Sequence, residues 1–108
     1  MMQTNEIRQQ MQHIGQTIHH AADACAHASG VPMDLKDCVQ QMDQRSQQVM
    51  QEMQSADSER MMQCVDELEQ MGDRARDACQ RAGMVNDELR SAVMQAHDEL
   101  SQLKHRLH

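Results

Sequence analysis

"HHAADACAHASG", residues 19–30, and "DRARDACQRAGM", residues 73–84, are nearly the same phrase, 54 positions apart. Each carries Ala, Cys and Ala at successive steps of four and three: Ala21, Cys25 and Ala28 in the first, Ala75, Cys79 and Ala82 in the second. That alternation is the seam of a helix buried along one side in a bundle. The unusual smallness of the seam residues predicts two thin helices that approach each other closely.

Working outward, the same phase runs upstream through Ile7, Met11, Ile14 and Ile18 to Ala21, and Gly30 and Pro32 stop the first helix. Thr4 or Asn5 is the expected cap at its start. A second stripe follows at Leu35, Val39, Met42, Ser46, Val49, Met53 and Ala56, opened by Pro32 or Asp34 and broken only by Ser46. Asp57 or Ser58 then caps a third, with Met61, Val65, Leu68, Gly72, Ala75, Cys79 and Ala82 before Gly83. Asn86 or Asp87 caps a fourth, with Leu89, Val93, Ala96, Leu100, Leu103 and Leu107, which ends in the cationic "LKHRLH" that suits a helix C-terminus. The expected helices are 4–29, 33–55, 58–82 and 86–107.

Shifting the chain by 54 superposes the first helix on the third and the second on the fourth, seam on seam. The identities include Ala21/Ala75, Asp23/Asp77, Ala24/Ala78, Cys25/Cys79, Val31/Val85, Leu35/Leu89 and Val39/Val93. The chain therefore reads as one domain made of a duplicated helical hairpin, 1–54 and 55–108. Short connections force neighbouring helices to run antiparallel, so the expected fold is an all-α, up-down-up-down four-helix bundle. In that register one layer holds Cys25, Val39, Cys79 and Val93, the next Ala21, Met42, Ala75 and Ala96, and a third Ile18, Ser46, Gly72 and Leu100.

Composition narrows the function. The chain has no Phe, Trp or Tyr, so twelve Met fill the gaps that aromatic rings fill elsewhere. A formal charge of −7 with ten Lys plus Arg speaks against nucleic acid, which needs a basic face and usually aromatic platforms. No run of 18 apolar residues predicts a membrane span, and the opening "MMQTNEIRQQMQ" lacks the pattern of a secretory signal. The expected location is the cytoplasm, where the four cysteines at 25, 38, 64 and 79 stay free thiols.

Two groups of residues are candidates for binding. Cys25 and Cys79 face each other in the predicted layer with Cys38 one position from the same level, a set suited to thiol redox chemistry or to a soft metal, Cu(I) or Zn, that Met42 in the adjoining layer would assist. The competing reading is that these thiols are small apolar fillers, as Cys64 beside the third seam is expected to be. His20, Asp23 and His27 share one face of the first helix at spacings suited to a surface metal such as Zn or Ni, or simply form a solvated face. An inward Cys layer in a four-helix bundle resembles the Cys-rich copper-storage bundles in architecture. Those bundles repeat Cys-x3-Cys, which does not occur here.

The di-iron bundle enzymes need Glu-x-x-His, absent from this chain, as are His-Glu-x-x-His, Gly-x-Ser-x-Gly and a Gly-rich phosphate loop. The expectation is thus a non-enzymatic bundle acting through a protein partner or as a homodimer. Its expected contact surface is a strip of Met50, Met62 and Met94 beside the seams. The Gln-rich "QQMDQRSQQVMQEMQ", residues 40–54, reads as a solvated face or as an association surface to which Met50 adds an apolar spot.

Overall fold

The computed structural model describes residues 3–83 and 85–107; Met1, Met2, Met84 and His108, including the outer ends of the two halves, lie outside the described residues. It contains four helices: α1 (Thr4–His27), α2 (Met33–Glu52), α3 (Ser58–Ala82) and α4 (Asp87–Leu107). They pack as a bundle of 41 × 22 × 18 Å, the length set by the longest helices at 1.5 Å per residue. Each helix packs on the next and α4 packs on α1, so α1 and α3 are diagonal, as are α2 and α4. The polar contacts across each groove run in opposite order along the two helices. Arg8 reaches the Met53 carbonyl and His19 reaches Asp43; Arg60 meets Glu52 and Arg81 meets Asp34; Glu69 meets Lys104 and Asp73 meets His97.

Local chemistry explains the boundaries. Asp57 accepts a hydrogen bond from the Arg60 amide at 2.8 Å, and Asn86 accepts from the amides of Glu88 and Leu89, so both caps satisfy donors that a helix start leaves open. Gly83 ends α3 at φ 72°, a left-handed conformation that a side chain would strain. Three expected ends move. Gln3, not Thr4 or Asn5, takes the cap position of α1 and makes no side-chain bond. Helix α1 stops at His27 because Ala28 is already extended, with Gly30 placed inside the following turn, and α2 gives way to a turn after Glu52.

The core is the set of seams. Ile7, Met11, Ile14, Ile18, Leu35, Val39, Val49, Met53, Met61, Val65, Leu68, Leu89, Leu100 and Leu103 are all buried. Thr17, Cys64, Ala78 and Ala92 are buried as well, which widens the apolar stripes of α1, α3 and α4 beyond two positions per heptad. The break at Ser46 also has a cause. A Cβ on Gly15 would stand 3.1 Å from Ser46 Oγ, so α1 and α2 approach where one has no side chain and the other a small one.

Gly72 leaves a gap in the seam of α3. A Cβ there would lie 3.4 Å from methyl carbons of both Leu100 and Met42 and 3.7 Å from the His97 Cα. These are ordinary contact distances, so the tips of Leu100 and Met42 line the space beside Gly72 without closing it.

Candidate functional site

Cys25 and Cys79 lie near the ends of α1 and α3, and each is 2% exposed. Ala21, Ala75 and Ala78 bury around them. Burial pushes the Cys25 thiol up from its ordinary value, the Lys36 ammonium pulls it back, and the nearby Cys79 thiol adds to the rise. The two thiols therefore lie close enough across the diagonal to feel each other's charge. Burial thus favours the S–H form of Cys25, the unreactive one.

Cys38 stands apart from that pair. It is only partly buried, and the charges acting on it come from its own helix and from α3. Burial raises its thiol most, Asp34 raises it further, Arg74 and Arg81 oppose, and Asp37 adds a smaller rise. These neighbours place Cys38 in the groove between α2 and α3. Met42, offered as a helper to the thiols, ends its side chain against Gly72 in the layer beyond. Among the described residues no group of three or more His, Cys, Asp or Glu converges as a metal site. The soft ligand set thus reduces to the pair Cys25 and Cys79.

His20, Asp23 and His27 turn to different partners. His20 reaches across to Glu88 of α4 at 3.2 Å, Asp23 lies 3.9 Å from His19, and His27 donates from Nδ1 to the backbone carbonyl of Asp23 at 2.8 Å. Helical spacing put the three on one face, but a carboxylate on a neighbouring helix and a backbone carbonyl of the same helix take the two imidazoles separately.

Sequence reasoning missed two polar clusters. Cys64, fully buried, donates its S–H to Glu52 at 3.4 Å, and Glu52 is held by Arg45 at 3.2 Å and Arg60 at 2.9 Å. The hydrogen bonds from Arg45 and then Cys64 hold the Glu52 carboxyl below the usual range. Burial, then the bond to Glu52, pushes the Cys64 thiol up. The second cluster is His97 with Asp73, Arg76 and Asp98 in the groove between α3 and α4. Its signal was available: Asp73 and His97 each follow a seam residue, Gly72 and Ala96, by one position in adjoining layers.

The surface methionines also separate. Met50 lines the groove between α1 and α2 with Gly15, His19 and Ser46. Met62 is in phase with Asp66, Glu69 and Asp73, and Met94 with His97, which assigns both to the opposite groove between α3 and α4. They are half-buried ridge residues of two grooves and do not make one strip. The large apolar side chain that does stand out among the described residues is Met33, 68% exposed at the start of α2.

Fold and thiol layer together define a helical bundle with a closed apolar core and no helix long and apolar enough to cross a membrane. No family model, curated protein or solved structure matches the chain.

Proposed function

We propose that the chain is a non-enzymatic helical module that acts by protein contact, first of all with a second copy of itself, in the reducing cytoplasm where its thiols stay free. The observation that supports this reading is Met33. It projects at the end of the bundle where Val31, Pro32 and Val85, from the two turns there, are only half covered. An isologous contact through this end would bury both copies' Met33 together. Burying a Met side chain contributes about 1.5–3 kcal/mol. Analytical ultracentrifugation across a wide concentration range should reveal a dimer, and Met33→Glu, which changes both copies at once, should weaken it by roughly a hundred-fold or more with helicity unchanged. A wild-type chain that stays monomeric at every concentration rules out the self-association.

A second reading draws on the proximity of Cys25 and Cys79. Two buried thiols on facing helices form a soft pair suited to Cu(I), or with further ligands to Zn. Binding one Cu(I) replaces two S–H protons by two sulfur–metal bonds, and the net negative centre that results would be balanced in part by Lys36, whose charge already acts on Cys25. Native mass spectrometry of reduced protein with Cu(I) under a competing chelator should then show one ion per chain, lost in Cys25→Ser. Failure to retain any ion would leave the thiols as core packing.

A further inference from the structure

We propose that His97 is a proton-operated switch in the groove between α3 and α4, exchanging Arg76 for Asp73 as the partner of its Nε2 when the ring gains a proton. The side chain is 11% exposed, and Nε2 has two neighbours that make opposite demands. Asp73 Oδ1 lies 2.8 Å away and, as a carboxylate oxygen, can only accept. Arg76 Nη1 lies 3.1 Å away and can only donate. One ring nitrogen satisfies one of them at a time. Bare, it accepts from Arg76; carrying hydrogen, it donates to Asp73.

The other ring nitrogen fixes which state is neutral. Nδ1 faces Asp98 Oδ1 at 3.3 Å, so in the proposed switch Nδ1 carries a hydrogen in both states and donates it to that carboxylate. The neutral ring is therefore the Nδ1–H tautomer with Nε2 open to Arg76. A proton from solvent at Nε2 turns the ring into a double donor between two carboxylates, and its positive charge repels the guanidinium. Imidazole is the side chain that makes such a change between about pH 5 and 8.

Both displaced partners have somewhere to go. Arg76 already donates through Nε and Nη2 to Asp77 Oδ1, at 3.4 and 3.2 Å, so it can settle there when Nε2 is taken. Asp73 is 42% exposed, so water serves it while Arg76 holds the ring. The charged groups facing the ring are Asp73 and Arg76 from α3, with Asp77 behind Arg76, and Asp98 from its own helix. Lys104, about two turns further along α4, feels Asp73 but donates to Glu69. From α2 the methyl end of Met42 approaches Gly72, which lies against the His97 backbone; α1 and α2 bring no charged contact to the ring among the described residues. The ring of α4 is held by side chains of α3, so a change of partner alters how the two helices are tied.

The test is an imidazole ¹⁵N titration of the whole chain by NMR, with His97→Gln used to assign the ring among the seven histidines. At about pH 8 the ring should be the Nδ1–H tautomer, and the Arg76 Nε–H signal should move with the same midpoint as the ring as the pH falls towards 5. Removing the carboxylate in Asp73→Asn should lower that midpoint, and removing the guanidinium in Arg76→Gln should raise it. Circular dichroism of each variant verifies that the helices persist. An Nε2–H tautomer at about pH 8, or an Arg76 signal that stays still through the ring's titration, overturns the proposal.

Discussion

Leu100→Ala is expected to destabilise the bundle by about 4–5 kcal/mol, the upper part of the range for removing a buried Leu side chain. The position of the loss decides its size. Leu100 is fully buried, and one of its methyls reaches over Gly72, where α3 offers no side chain of its own. Neighbours that collapse into a cavity reduce its cost, but Gly72 has nothing to move and Met42 already occupies the other side of the gap. The complementary change has the opposite sign. Gly72→Ala places a methyl in ordinary contact with flexible side-chain ends and gains about 1 kcal/mol of helix propensity. In the Leu100→Ala background the same methyl also fills part of the void, so the double variant should recover more than the single gain, with a coupling of about 1 kcal/mol. Urea unfolding followed by far-UV circular dichroism checks both numbers. A cost below about 2 kcal/mol, or strict additivity, would mean that Gly72 and Leu100 do not share one space.

Stability should also fall steeply as pH rises above the range in which ordinary thiols ionise. Cys25, Cys38 and Cys64 all have raised values, mainly through burial, so the folded chain keeps their protons when the unfolded chain has lost them. Below the unfolded value both states hold the proton and nothing is lost. Above it the unfolded state is favoured, with a slope of about 1.4 kcal/mol per pH unit for each thiol that has ionised only in the unfolded chain. Lys104 and Arg45 work in the same direction at still higher pH. Their values are raised chiefly by hydrogen bonds to Glu69 and Glu67, so the stability they lend is present below the unfolded value and lost as pH rises through the folded one. Glu52, lowered by Arg45 and Cys64, acts at the acid end, and its contribution disappears as pH falls through its folded value. Urea midpoints under reducing conditions at about pH 7.5 and 9.5 test the alkaline limb, and the drop should shrink when Cys25, Cys38 and Cys64 are all replaced by Ala. Equal midpoints for the wild type would refute the thiol argument.

The bundle could be read from the sequence because each helix repeats one apolar phase over its whole length, and a wrong phase would expose that entire side. Thr17, Ala78 and Ala92 escaped that reading because small flanking positions become buried only once a neighbouring helix arrives. The candidate site was less legible. Seam phase put Cys25 and Cys79 in one layer, but it carries no information on which groove a flanking residue enters. Cys38 therefore turned to Arg74 and Arg81, and Met50 parted from Met62 and Met94. The His97 and Glu52 clusters depend on which helix lies beside which, and that information is in no single periodic stripe. Cys64 was read correctly as packing, but its bond to Glu52 depends on the turn that brings α2 back onto α3.

A core without aromatic rings puts sulfur where most small domains have only carbon. Met11, Met53 and Met61 are shut away from solvent within the bundle, and Met33 lies open at its end. Peroxide would meet these atoms in order of exposure, converting Met33 to its sulfoxide while the folded helices keep the others from contact. Oxidation of the interior methionines requires the bundle to open first, and the polar oxygen so acquired would hinder the helices from closing again. Thus the same flexible side chain that fills this interior turns a passing unfolding event into a lasting chemical change.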